Sequence, residues 1–397
     1  MESSIPLLSV LDYEARASEI IPSALFNRWF GTYGAPDWIT NTNNLDAIQS
    51  TKLRPRVLAG IGKRDLSTRV LGQDIALPVM LAPSGFHQRA HPDGELASVS
   101  AAGSMGTVMC LSTASTYSIE EVARASSGPI WFQLYFLRQR EVTETLVRRA
   151  EDAGYSGLVV TVDNLPARSR ERDTRYAYQV PAERVLKNFE GTDLWDSPSR
   201  YAMHDSYEMA IAWSDMEWLR TITSMPMVIK GIQTAEDARL CMEHGMDGLI
   251  VSNHGGHSLE GSTGSMEMLP EIADAVGGGI EVYMDGGIRR GADVVKALAL
   301  GARAVFVGRP IFWGLAIDGE AGVRHVLEIF RDELDIAMGL CGVASAAEVD
   351  RDLVVPVGAG AGAGDPVDRL ERLAGLVDRG YLTRQEFDAQ KARILGA

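Results

Sequence analysis

The chain has 397 residues, 46% of them hydrophobic and 23% charged, enough for one large folded unit with a small appendage. Its 38 basic and 53 acidic residues give a net charge of −15 spread along the sequence. That balance argues against nucleic acid and anionic membranes as partners and means that any anionic ligand needs local arginines.

The first residues, MESSIPLLSVLDYEARA, lack a basic segment followed by a long apolar stretch, and no run of about 18 apolar residues occurs anywhere. No membrane association and a cytoplasmic location are therefore expected. Residues 1 to 70 include YEARASEIIPSALFNRWF, which predicts helical pieces packing on the domain that follows. Eight short apolar runs come next: LPVMLAP (77–83), TVMCLS (107–112), PIWFQLY (129–135), GLVVTVD (157–163), PMVIKG (226–231), GLIVSNH (248–254), EVYMDGG (281–287) and AVFVGRP (304–310). Between most of them lie stretches with helical spacing, such as VTETLVRRAEDAGY and GADVVKALALGAR, each closing on a glycine stop. This alternation predicts a parallel (β/α)₈ TIM barrel, with a doubly wound open sheet as the alternative.

The barrel is favoured because polar or glycine-rich residues follow the C-terminal end of each run, where such a barrel builds its site. They are Pro83-Ser84-Gly85, Ser112, Gln133 with Tyr135, Asp163, Lys230, His254, Asp285-Gly286-Gly287 and Gly308-Arg309. Residues 171–215 interrupt the rhythm as a long polar insertion of the kind that serves as a lid or binding loop. VPVGAGAGAG (355–364) is a linker without packing side chains. The chain thus divides into a barrel unit (1–354), a linker (355–364) and a helical hairpin (365–397).

In that hairpin Leu370, Leu373, Leu376 and Val377 share one helical face, Gly380 is a stop, Thr383 an N-cap, and Phe387 and Ile394 lie on a second helix. Residues 365–396 resemble the short C-terminal (SHOCT) domain. Two helices of this length cannot bury a core alone, so they are expected to pack on a partner copy or on the barrel.

Two glycine stretches, DGGIRRG (285–291) and VGRP (307–310), follow the seventh and eighth runs, where barrels often bind phosphate, and Arg289 and Arg309 add charge. A GxGxxG after an N-terminal strand is lacking, which argues against a nicotinamide dinucleotide on a Rossmann unit. His254 and His257 in SNHGGHSLEG could be read as a metal pair, but no third or fourth ligand has an interpretable spacing, so no metal is expected. Cys110, Cys241 and Cys341 are odd in number and far apart, and read as small buried hydrophobes.

From about residue 8 to 353 the chain resembles the FMN-dependent α-hydroxy-acid oxidases and dehydrogenases. The motifs are FQLY (132–135), TVD (161–163), RERD (170–173), VIKGIQTAEDA (228–238), VSNHGG (251–256), MDGGIRRG (284–291), KALALGARAVFVGRP (296–310) and GEAGV (319–323). The resemblance implies FMN, with Pro83, Ser84 and Gly85 near the flavin, Ser112, Gln133 and Thr161 on its ring system, and Lys230 at the pyrimidine edge with Ser252 nearby. Asp285, Gly286, Gly287, Arg289, Gly308 and Arg309 would surround ribityl and phosphate. It implies oxidation of a carbinol by hydride transfer to flavin N5, with His254 as base, Asp163 supporting the imidazole, Tyr135 bonding the substrate and Arg170 pairing with its carboxylate. Dioxygen or another acceptor would reoxidise the flavin, and a homo-oligomer, commonly a tetramer in this family, is expected.

Three positions depart from the family pattern. His257 stands where relatives carry the arginine that clamps the substrate carboxylate. FNRWF (26–30) puts Arg28 where they carry a tyrosine, and Ala114 falls where many carry a bulky aromatic. A bidentate arginine–carboxylate pair is worth about 1.5–3 kcal/mol, so small 2-hydroxy acids should bind poorly unless Arg28 replaces the clamp. The alternative is an amine or other non-carboxylate substrate of a biosynthetic pathway.

Overall fold

The computed structural model describes residues 6–31, 39–164, 186–192, 195, 206–208 and 210–355, together with 370, 373–375, 377, 384, 387, 388, 390 and 391, the side chain of Arg28 excepted. A short antiparallel hairpin, β1 (Thr68–Val70) and β2 (Gln73–Ile75), precedes eight parallel strands. These are β3 (Val79–Leu81), β4 (Met109–Ser112), β5 (Ile130–Leu134), β6 (Leu158–Thr161), β7 (Met227–Ile232), β8 (Gly248–Val251), β9 (Glu281–Met284) and β10 (Ala304–Val307). They run in chain order and close where β10 pairs with β3 through Val305–Val79, Phe306–Met80 and Val307–Leu81. Every predicted run supplies one strand, and the closure makes the fold a TIM barrel instead of an open sheet.

The runs are continuously apolar because both faces of each strand are covered. One set of residues, Met80, Cys110, Trp131, Val159, Val228, Ile250, Tyr283 and Phe306, fills the barrel interior, with Val70 and Ile75 of the hairpin completing the same cluster. The rings of Trp131, Tyr283 and Phe306 meet at centroid distances of 5.5–6.0 Å. The alternate residues, such as Val79, Leu111, Phe132 and Ile229, pack outward against the helices.

A helix follows each barrel strand: 94–104, 119–125, 140–152, 213–222, 235–243, 265–276, 291–299 and 309–341. The last breaks at Asp318 and Gly319, and ends at Gly342 in the left-handed region. The predicted N-terminal helical pieces are present. Helix 10–20, started by a Ser9–Asp12 capping box, packs on helix 309–341, and a π-helical turn spans Phe26–Phe30. Helix 39–50 lies over the loops that leave β8 and β9.

The three cysteines are free and buried. Among the described residues no helix is long and apolar enough to cross a membrane. Much of the 171–215 insertion lies outside the described residues. Its Asn188 is buried and donates to the carbonyls of Ser112 (3.3 Å) and Thr113 (3.1 Å) at the rim of β4. In the C-terminal unit Leu370, Leu373 and Val377 are helical, and Leu373 and Phe387 are buried. Leu376, Gly380, Thr383 and Ile394 lie outside the described residues.

Candidate active site

The C-terminal rim of β6, β7, β8 and β9 carries one connected polar cluster. Lys230, only 4% exposed, donates to Ser252 Oγ at 2.7 Å and pairs with Asp285 Oδ2 at 3.0 Å. Ser252 Oγ donates in turn to Asp285 Oδ1 at 2.7 Å and accepts the backbone N–H of His254 at 3.1 Å. Burial opposes the charge on Lys230, but the carboxylates of Asp285 and Asp163 outweigh it and raise its pKa, so the ammonium is permanent. β7 bulges at Gly231, between Lys230 and Ile232. There φ is +113°, and a Cβ would lie 2.5 Å from Asp163 Cβ, so only glycine lets Asp163 come so close. Gly231→Ala is therefore expected to cost more than about 1 kcal/mol of stability and to displace Asp163, seen as a lower urea midpoint; an unchanged midpoint would contradict this packing.

Asp163 Oδ1 lies 2.8 Å from His254 Nδ1. Burial pushes the Asp163 carboxyl towards neutrality, yet the neighbouring charges of His254 and Lys230 and the hydrogen bond to His254 hold it below the usual carboxylate range. An ionised carboxylate only accepts, so Nδ1 donates to Asp163 and Nε2 is the ring nitrogen turned away from it. Tyr135 places its hydroxyl 3.4 Å from that Nε2. The His254 backbone is left-handed, with φ +59°, a conformation that costs a non-glycine residue about 1–3 kcal/mol. It turns the chain straight out of β8 and over the barrel mouth.

Beside this cluster, two fully enclosed polar atoms at the ends of β5 and β6, Gln133 Nε2 and Thr161 Oγ1, make no hydrogen bond within the protein. Ser112 Oγ and the Thr113 N–H both donate to Gln133 Oε1, at 3.1 and 3.2 Å, which fixes the amide so that Nε2 is the end left with a donor to spare. One donor, one hydroxyl and the Lys230 ammonium on successive strands fit the edge of a planar heteroaromatic ring with carbonyl and N–H groups. Around the rim, Pro83, Ser84 and Gly85 leave β3, Gly286 and Gly287 follow β9, and Gly308 caps the N-terminus of helix 309–341, a geometry suited to phosphate. Arg289 is buried there, its guanidinium 4.9 Å from the Trp313 ring centre and its Nη1 on the Ile288 carbonyl at 2.9 Å.

Arg309 donates through both Nη atoms to the Gly255 carbonyl at 3.1 Å, and through Nη2 to His257 Nε2 at 3.1 Å. A guanidinium has no acceptor, so this bond requires an unprotonated His257 Nε2. His257 also approaches Trp29, at 6.3 Å between ring centres. Ala114 is buried at the rim of β4.

The structure thus gathers Tyr135, Asp163, Lys230, Ser252, His254 and Asp285 in one cluster, with Ser112, Gln133 and Thr161 beside it. Arg170 lies outside the described residues, as does the side chain of Arg28. Sequence reasoning did not single out Asn44, Asn253 or Glu95. Glu95 is fully buried and accepts the backbone N–H groups of His87 (3.1 Å) and Thr116 (3.0 Å), joining the loops after β3 and β4.

Residues 17–356 match the family described as FMN-dependent dehydrogenase, and residues 368–395 match the short C-terminal domain. The chain is 44% identical to 2-hydroxyacid oxidase 1 of Homo sapiens over 358 residues, covering 88% of this chain and 96% of that protein. It is 42% identical to glycolate oxidase 3 of Oryza sativa subsp. indica, with the same coverage. A crystal structure of mandelate oxidase superposes with a TM-score of 0.80 at 38% identity, over 88% of this chain and 98% of that one.

Proposed function

The chain belongs to the FMN-dependent dehydrogenase family and takes FMN as its cofactor, and on that premise we propose that it oxidises the carbinol carbon of a 2-hydroxy acid or a close derivative. The observation that carries the reading is the Asp163–His254 pair, at 2.8 Å, with Tyr135 at the opposite ring nitrogen. Gln133 Nε2, Thr161, Ser112 and the backbone of Pro83, Ser84 and Gly85 would hold the flavin ring, with Lys230 and Ser252 at its pyrimidine edge. Asp285, Gly286, Gly287, Arg289, Gly308 and Arg309 would hold ribityl and phosphate.

Bound FMN supplies the two-electron acceptor for the substrate C–H. His254 Nε2 takes the hydroxyl proton, and the Asp163 carboxylate stabilises the imidazolium that results. Tyr135 orients the substrate hydroxyl beside Nε2. Lys230, kept cationic by Asp285, offers a fixed positive charge for negative charge developing at the ring edge. Arg170 anchors the carboxylate. The named relatives are oxidases, which supports dioxygen as the electron acceptor, with one hydrogen peroxide per 2-oxo acid. A cytoplasmic homo-oligomer, with a barrel unit (1–354) linked to the C-terminal hairpin (365–397), completes the proposal; three free, buried cysteines suit a reducing compartment.

His257 faces Arg309 as a neutral acceptor and provides no cationic clamp. Wild type is therefore expected to turn over glycolate, lactate and (S)-mandelate slowly, and His257→Arg to raise kcat/KM for at least one of them about tenfold, equivalent to about 1.4 kcal/mol. Steady-state peroxide assays check this. Efficient wild-type turnover of all three would show that Arg170 suffices as the anchor. Bleaching by amines or neutral carbinols but by none of the acids would favour the second reading, a non-carboxylate substrate, which the missing clamp at His257 supports.

A further inference from the structure

We propose that Asn44, on helix 39–50, is a positioning residue for the reaction, setting the geometry of His254 through Asn253. The proposal rests on the reading of His254 as the base. Asn44 Nδ2 donates to Asn253 Oδ1 at 2.9 Å, and Asn253 Nδ2 donates back to Asn44 Oδ1 at 2.8 Å. Both side chains are at 0% exposure, so the two amides have only protein groups to bond to.

The remaining capacity of each amide holds the segment that bears the base. Asn253 Oδ1 accepts the N–H of Gly256 at 3.2 Å, closing a turn over His254 and Gly255. Asn253 Nδ2 also donates to the Thr263 carbonyl at 3.0 Å, and Asn44 Oδ1 accepts the N–H of Ser265 at 2.9 Å, where the next helix begins. The pair therefore ties both ends of segment 253–265 to each other and to helix 39–50. Gly256, with φ +82°, makes the approach possible: a Cβ there would lie 2.8 Å from the Asn41 backbone nitrogen.

The segment held in this way carries the left-handed His254. A strained backbone persists only while its surroundings over-determine it. Removing the Asn44 amide strips one hydrogen bond from each end of the Asn253 amide, leaving only its bonds to Gly256 and Thr263, and so loosens the turn that aims the imidazole at Asp163 and Tyr135. The middle of the segment stays docked, because Thr40 Oγ1 donates to the Leu259 carbonyl at 2.9 Å and Asn43 Nδ2 to the Ser262 carbonyl at 2.7 Å. The defect should thus be one of aim and not of folding.

A double-mutant cycle tests this. Wild type, Asn44→Ala, His254→Ala and the double variant are compared for FMN content and for anaerobic bleaching by whichever of glycolate, lactate or (S)-mandelate reduces wild type fastest. Asn44→Ala is expected to keep its FMN and to bleach about tenfold slower or more, yet to change the rate less than about twofold in the His254→Ala background, because the two act as one unit. An equal fold-loss in both backgrounds would overturn the inference and leave the base assignment standing. A His254→Ala that bleaches as fast as wild type would overturn the base reading itself. Asn44→Ser repeats the comparison with a smaller polar group; loss of FMN from both Asn44 variants would mark Asn44 as a folding residue and overturn the proposal.

Discussion

His254→Ala is expected to retain bound FMN and to bleach about 10²–10⁴-fold more slowly with a 2-hydroxy acid, the range for losing a positioned general base. Retention follows from where the side chain points. His254 bonds Asp163 and Tyr135, whereas the polar groups suited to the ring and phosphate belong to Gln133, Thr161, Lys230, Arg289 and the glycine turns. The loss should fall on the chemical step, because the bond from Nδ1 to Asp163 turns Nε2 towards the Tyr135 hydroxyl, where the substrate proton would be taken. Stopped-flow absorbance of the flavin reads this directly, and a rate within twofold of wild type would make His254 a structural residue.

Lys230→Met is expected to be the most destabilising single change at the site. Methionine keeps the unbranched length, but it leaves the Asp285 carboxylate without its 3.0 Å partner and removes a positive charge from Asp163. Breaking a buried ion pair from one side costs about 3–5 kcal/mol. Urea denaturation should show a lower midpoint at an unchanged slope, and the folded fraction should bleach slowly because the ring edge has lost its fixed charge. A midpoint equal to wild type would mean that Asp285 is satisfied elsewhere, and the permanent charge assigned to Lys230 would be wrong.

The barrel was legible because strands covered on both faces read as uninterrupted apolar runs, and the rim residues stand at or within a few places of the C-terminal end of their strands. Asp163, Lys230 and His254 could be picked out this way from their own neighbourhoods. The Asn44–Asn253 pair could not: its members are 209 residues apart, and the TNTNN stretch has no apolar stripe to betray a buried helix. Only barrel closure and the return of helix 39–50 over the rim bring the amides together. The hairpin at 68–75 was missed for another reason, since strands of three residues carry almost no periodicity and owe their place to plugging the barrel interior. His257 was visible as a substitution, but its Arg309 partner depends on the path of the loop after β8.

The central claim is that His254 and FMN together convert a 2-hydroxy acid to a 2-oxo acid. Anaerobic titration of the wild-type holoenzyme with glycolate, lactate and (S)-mandelate, followed by flavin absorbance and 2-oxo acid analysis, tests it most directly. The predicted result is that at least one acid bleaches the flavin, with one 2-oxo acid formed per FMN reduced. A flavin that stays oxidised with all three, or that bleaches without a 2-oxo acid appearing, would contradict it.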